Sequence, residues 1–186
     1  FTIKEFLFLT LFTILFGIFN DLITSLFNKK VNKWLFISIN VFLSILFIAQ
    51  VINFKFYGNI ISIYSVVHGG QVFGFMGAII SVILKNIPCV LLLLIPAILL
   101  LVFNKHIKTD GLNCKKNLIK TLVFVGLFTI CTLTLNIDKK DIYSAKNLYY
   151  YKHAPNQSAK TFGILTTMRI DLERINYPED IKGENL

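Results

Sequence analysis

The sequence predicts an all-α fold: a polytopic transmembrane helix bundle with an interfacial helical segment and an extracellular connector helix. Three observations carry this. Apolar residues make up 55% of the 186-residue chain and collect into runs of near-bilayer length. Lysines cluster in the connections between those runs. From residue 137 onward the chain becomes polar, tyrosine-rich and amphipathic.

A helix needs about 20 largely apolar residues to cross the hydrocarbon core. The first such run is 6–27, strongest up to Phe19. The second, 34–52, opens on Trp34, where an interfacial aromatic anchor belongs. The third, 87–103, is short; Pro88 falls in its first turn, where a missing N–H does no harm, and Pro96 is expected to kink it. The fourth is 118–135, with Lys120 close enough to its end to snorkel.

Between the second and third runs lies "FYGNIISIYSVVHGGQVFGFMGAIISVIL", residues 56–84. Its continuous apolar part, Val72 to Leu84, has 13 residues and is too short to span unaided. Gly69, Gly70, Gly74 and Gly77 permit a turn and close helix packing. The segment is therefore placed at the outer interface, partly re-entrant or packed on the bundle.

Lysine asymmetry sets the direction of the spans. Lys29, Lys30 and Lys33 separate the first two runs, and Lys105, Lys108, Lys115, Lys116 and Lys120 separate the last two, opposed by Asp110 alone. The connection holding 56–84 has only Lys55 and Lys85. The positive-inside rule puts both clusters in the cytoplasm, and 56–84 and the C-terminal tail outside. The first run then passes from outside to inside, and a preceding span, making five with a cytoplasmic N-terminus, is the natural completion. Residues 1–136 form the transmembrane domain, and 137–186 an extracellular connector. In that connector Ser158 is a candidate N-cap of one amphipathic helix, with Phe162, Leu165, Met168, Leu172 and Ile175 on its apolar face, stopping before Pro178. Tyr149, Tyr150 and Tyr151 suit the headgroup layer.

A net charge of +9 invites a nucleic-acid reading, but the lysines lie beside apolar runs, the distribution of topology signals and anionic-lipid contacts. No nucleic-acid partner is expected; the partners are membrane lipids. Cys89, Cys114 and Cys131 form neither a disulfide framework nor a metal spacing. His68 has no second ligand at metal spacing; its remaining roles are a satisfied interfacial histidine or, with Gln71, a lipid-headgroup contact. Lys55, Tyr57 and Lys85 are candidates for the same basic, aromatic rim, with ordinary snorkelling the competing account. Asp21 falls inside a span, about two turns from Lys29, and reads as neutral packing or an ion pair at the boundary rather than a proton relay, since no further acid continues the path. Thr161, Thr166 and Thr167 lack an activating base at motif spacing from His153 or Asp171 and read as helix-surface threonines.

Two stretches carry a family resemblance: "QVINFKFYGNIISIYSVVHGGQV" (50–72) and "LYYYKHAPNQSAKTFGILTTMRIDLERI" (148–175). With them, nearly the whole chain resembles the N-terminal membrane domain of the lipoteichoic acid synthase family, the sulfatase-fold phosphoglycerol transferases of Gram-positive bacteria. The resemblance implies five spans and an extracellular sulfatase-like catalytic domain after Leu186. That domain would supply the threonine nucleophile and the divalent metal, usually manganese, and would use phosphatidylglycerol as donor. The nucleophile motif Gly-Lys-Thr-Ser is not matched by "SAKTF", so no catalytic residue, metal ligand or cofactor is assigned to this chain. A phosphoethanolamine transferase on the same plan is a near variant. The alternatives are a small transporter or channel subunit, for which the spans offer only Ser38, Asn40, Ser44 and scattered threonines, or a structural membrane protein binding an extracellular partner.

The predicted orientation is open to direct measurement. With Cys89, Cys114 and Cys131 replaced by serine, single cysteines at Gly70 or Asn156 are expected to react with an impermeant thiol reagent on intact cells. One at Thr109 is expected to react only after permeabilisation, and labelling at Thr109 alone would reverse the topology.

Overall fold

The computed structural model describes residues 2–62, 76–107, 109, 111–136 and 142–175. They contain eight α-helices and no strand: α1 (Ile3–Ile23), α2 (Lys29–Tyr57), α3 (Met76–Lys85), α4 (Ile87–Val102), α5 (Cys114–Leu135), α6 (Ala145–Tyr150), α7 (Pro155–Phe162) and α8 (Ile164–Ile175). A single 3-10 turn, Asn104–His106, follows α4.

Polar caps set the helix ends, so several helices extend past the apolar runs. α1 starts at Ile3 because Thr2 and Glu5 form a capping box: the Glu5 N–H donates to Thr2 Oγ1 at 3.3 Å and the Thr2 N–H to the Glu5 carboxylate at 2.9 Å. Asn28 caps α2 by accepting from the Val31 N–H at 3.0 Å, which winds Lys29, Lys30 and Lys33 into the helix. α2 ends at Gly58, whose φ of 71° is left-handed and whose N–H returns to the Phe54 carbonyl. With 29 residues, α2 is roughly 43 Å long, well beyond a hydrocarbon core of about 30 Å, so its lysine-bearing ends reach the headgroup layers. Asn113 caps α5 by accepting from the Lys116 N–H at 3.1 Å.

α1, α2 and α5 are each long and apolar enough to cross a membrane, and α3 with α4 qualifies as a bent pair. The 80° bend lies at Asn86, whereas the helix expected to kink at Pro96 is continuous across that residue to Val102. Pro88 occupies the first turn of α4, where the sequence places it without cost. Of the segment 56–84, residues 63–75 lie outside the described residues, and the described remainder is the end of α2, a short extended stretch and most of α3. Large apolar side chains on the spans, such as Phe42, Leu92 and Leu122, are exposed, as expected where the solvent is lipid.

The fold divides into two compact units, whose boundaries cross α1 and α5. In one unit α2 packs on α4 and α3. The buried positions Ile37 and Ser44, seven residues apart, share one face of α2, and small residues such as Ser44 and, on α4, Ala97 allow close helix approach. In the other unit the first half of α1 and the last half of α5 pack with α6, α7 and α8 around Phe12, Leu15, Cys131, Leu135, Leu148, Phe162 and Ile170.

The tail helix differs from the sequence expectation. The single helix starting at Ser158 is two, because Gly163 breaks it with φ 85° and ψ 164°, a conformation reserved for glycine. Ser158 is buried within α7, which starts at Pro155. The break rotates the buried stripe: Phe162 remains in the core at 1% exposure, but Leu172 is 55% exposed and the buried positions of α8 are Thr167, Ile170 and Asp171. The side chain of Ile175 lies outside the described residues.

Gly163 generates a stability prediction. A Cβ there would meet Leu9 Cδ1 at 3.1 Å as well as the unfavourable φ. Gly163→Ala is expected to destabilise the protein by about 1–3 kcal/mol, seen as a lowered Tm in detergent. Gly126→Ala, with nothing within 4 Å on α5, is expected to leave Tm unchanged or slightly raised.

Candidate functional site

The last carbonyls of a helix have no partner within it, and α6 resolves this with a side chain from α8. The Arg174 guanidinium donates to the Lys152 carbonyl at 2.8 Å and the Leu148 carbonyl at 2.9 Å. One turn earlier on α8, Arg169 donates to the Tyr149 hydroxyl and to the Glu173 carboxylate. Its guanidinium lies 5.1 Å from the centre of the Tyr149 ring. Burial pushes the Tyr149 phenol above its ordinary value of 10.0, and the Arg169 charge opposes part of that shift.

Asp171, also on α8, places its buried carboxylate 3.5 Å from His153 Nδ1, and its second oxygen has no hydrogen-bond partner among the described residues. Lys160 of α7 lies 3.2 Å from Glu5 of α1, and the Asn156 side-chain oxygen accepts from the Ile60 N–H at 2.9 Å. Each of these contacts ties a tail helix either to its neighbour or to a segment beside the spans. Together they hold α8 against the end of α6, and α7 against α1.

A nucleophilic role finds no support in the hydroxyls. Thr161 and Thr167 are buried rather than on the helix surface, and they donate to the Gln157 and Gly163 carbonyls at 3.0 and 2.9 Å. Among the described residues no three His, Cys, Asp or Glu side chains converge on a metal position.

Of the residues expected to contact lipid headgroups, Lys55 and Tyr57 are exposed in the last turn of α2, and Lys85 is exposed at the end of α3. The Tyr57 ring stacks edge-on against Phe56, with centroids 4.5 Å apart. No hydrogen bond or ion pair joins Lys85 to Lys55 or Tyr57 among the described residues. His68 and Gln71 lie outside the described residues. Tyr150 and Tyr151 are exposed as a headgroup role requires, and Lys152 lies over the Tyr143 ring at 3.9 Å, but Tyr149 belongs to the core.

Of the two roles the sequence leaves for Asp21, packing or an ion pair at the boundary, the structure shows the ion pair, with Lys120 of α5 at 2.7 Å. Sequence reasoning missed Arg169 and Arg174. Their signal was available: they are the chain's only arginines, and a forked guanidinium suits several carbonyls where lysine does not.

Against known proteins, residues 2–172 match the lipoteichoic acid synthase N-terminal domain family. The chain belongs to that family, as the membrane-anchoring domain of a lipoteichoic acid synthase-like, multi-pass membrane protein. No curated protein and no solved structure matches it.

Removing the Arg174 clamp leaves buried carbonyls unpaired. Arg174→Ala is expected to destabilise the protein by about 1.5–3 kcal/mol. Arg174→Lys is expected to recover less than half, since an ammonium lacks the fork. Thermal unfolding of both variants in detergent, read against Leu172→Ala at an exposed position, checks this.

Proposed function

We propose that this domain anchors a sulfatase-fold phosphoglycerol transferase and holds its catalytic part near the outer face of the bacterial cell membrane, where phosphatidylglycerol is the donor lipid. The observation that carries the proposal is the family match over 2–172, which includes the spans and the tail as far as Leu172. Supporting it, the lysine asymmetry directs the tail outward under the positive-inside rule. The catalytic threonine and a manganese ion belong to a sulfatase-like domain following residue 186, and this chain contributes position rather than chemistry.

Position matters because the donor is confined to a plane. A catalytic domain tethered at headgroup height meets its lipid without the translational entropy of a three-dimensional encounter. A firm mount serves that end better than a loose linker. Within the described part of the tail, the polar contacts of Arg169, Arg174, Asn156 and Lys160 make such a mount.

A transport role is less well supported. Five span hydroxyls and amides bond backward within their own helices: Thr10 to Phe6, Thr13 to Leu9, Asn40 to Phe36, Thr121 to Asn117 and Thr129 to Val125, all at 2.7–2.9 Å. A polar pathway needs such groups facing one another at mid-membrane.

A protease site engineered just after residue 175 of the full-length protein tests the anchoring role. Cleavage is expected to lower turnover of phosphatidylglycerol in bilayers by about tenfold or more at low enzyme concentration. Turnover of a soluble short-chain analogue is expected to stay the same. Unchanged bilayer turnover after complete cleavage would refute anchoring, and a full-length protein lacking a sulfatase-like domain would refute the transferase.

A further inference from the structure

We propose that the turns at the starts of α2 and α5 form a binding surface for the headgroups of anionic phospholipids, built from Lys29, Lys30, Lys33 and Lys115. In sequence these lysines belong to two separate connections. The fold joins them. The Thr109 hydroxyl donates to the Lys29 carbonyl at 2.8 Å, and a Cβ at Gly111 would lie 3.4 Å from Lys29 Cγ. Beside this contact, Ser25 and Asn117 exchange two hydrogen bonds, Ser25 Oγ to Asn117 Oδ1 and Asn117 Nδ2 to the Ser25 carbonyl, each at 3.0 Å. The Asn32 amide locks the turn by bonding both the N–H and the carbonyl of Phe27, at 2.9 and 2.8 Å.

This gathering leaves positive charge uncompensated. α2 and α5 have no acid in their first turns, although the helix dipole favours anions there; they carry lysines instead. The sequence provides this unit with only two acids, Asp21 and Asp110. Asp21 is engaged by Lys120, and Asp110 lies outside the described residues. None of these four lysines makes an ion pair among the described residues. Lysines gathered beside one contact with no paired acid attract an external anion.

The neighbouring side chains select a lipid as the source of that anion. Phe27, Val31, Trp34 and Leu112 are large, apolar and about half or more exposed beside the lysines. A soluble polyanion has nothing to offer them, whereas a phospholipid covers them with acyl chain while its phosphate meets the ammonium groups. The inference rests on the spans crossing a bilayer and not on the transferase reading.

The test reconstitutes the full chain in nanodiscs of equal parts phosphatidylcholine and phosphatidylserine. Lipid retained through detergent extraction is then measured by native mass spectrometry. Phosphatidylserine is used because the transferase reading assigns it no role, so the two proposals fail separately. The wild-type chain is expected to retain phosphatidylserine preferentially. The triple variant Lys29→Gln, Lys30→Gln, Lys115→Gln is expected to lose that preference by about tenfold or more, since each lysine near an anionic surface contributes roughly fivefold. The corresponding triple arginine variant is expected to retain it, which separates lost charge from lost folding. Equal preference in the wild-type and glutamine proteins, or loss in the arginine variant too, would overturn the proposal. So would full displacement of the lipid by inorganic phosphate, which would mark a site for a soluble anion.

Discussion

Phe162 lies at the meeting point of three rings, with Phe12 at 5.2 Å, Tyr149 at 5.7 Å and Phe8 at 6.2 Å between centroids, and the placement of the whole tail depends on that cluster. Two of the rings come from α1, a helix whose other faces are shaped for lipid, and one comes from α6. Burial of a phenylalanine contributes about 1.5–3 kcal/mol, and edge-to-face pairs add to it. The direction of α8, the Arg174 clamp and the Lys160–Glu5 pair all follow from how Phe162 is seated. Gly163 makes the seating possible, because only a residue without Cβ fits beside Leu9 at that φ.

Lipid and water impose opposite rules on one chain, and the polar residues show how both are met. Within the spans, threonines and Asn40 donate to carbonyls one turn back on their own helix. At helix ends, where water and headgroups return, polar groups reach between segments instead, as in Asp21–Lys120 and Ser25–Asn117. In the tail, which must fold on a conventional core, polar groups pair at its edge, Arg169 with Tyr149 and Glu173, and Arg174 with the end of α6. The exception is Asp171, whose second oxygen is unpaired among the described residues. A buried carboxylate oxygen with no partner is a place for an ordered water.

The family placement makes this chain a membrane-anchoring domain, and its tail contacts suit that role. His153 and Asp171 join the segment before α7 to α8, while Thr161 and Thr167 donate to carbonyls one turn earlier.

Sequence alone determined the class and the coarse plan. Runs of apolar residues must be shielded from water whatever their surroundings, so the helices containing the four runs could be read from composition and length. Lysine placement likewise displayed the asymmetry that topology depends on. Tertiary structure decided the rest, because it depends on which residues meet. The apolar periodicity of the tail pointed to one helix with Leu172 inside, and the break at Gly163 turned Leu172 outward and Asp171 inward, since a glycine's left-handed φ is invisible to a hydrophobic pattern. Tyr149, one of three consecutive tyrosines, became core while its neighbours stayed exposed, which no single-residue property distinguishes. Two lysine clusters read as separate loops became one surface through hydrogen bonds between residues up to 92 positions apart.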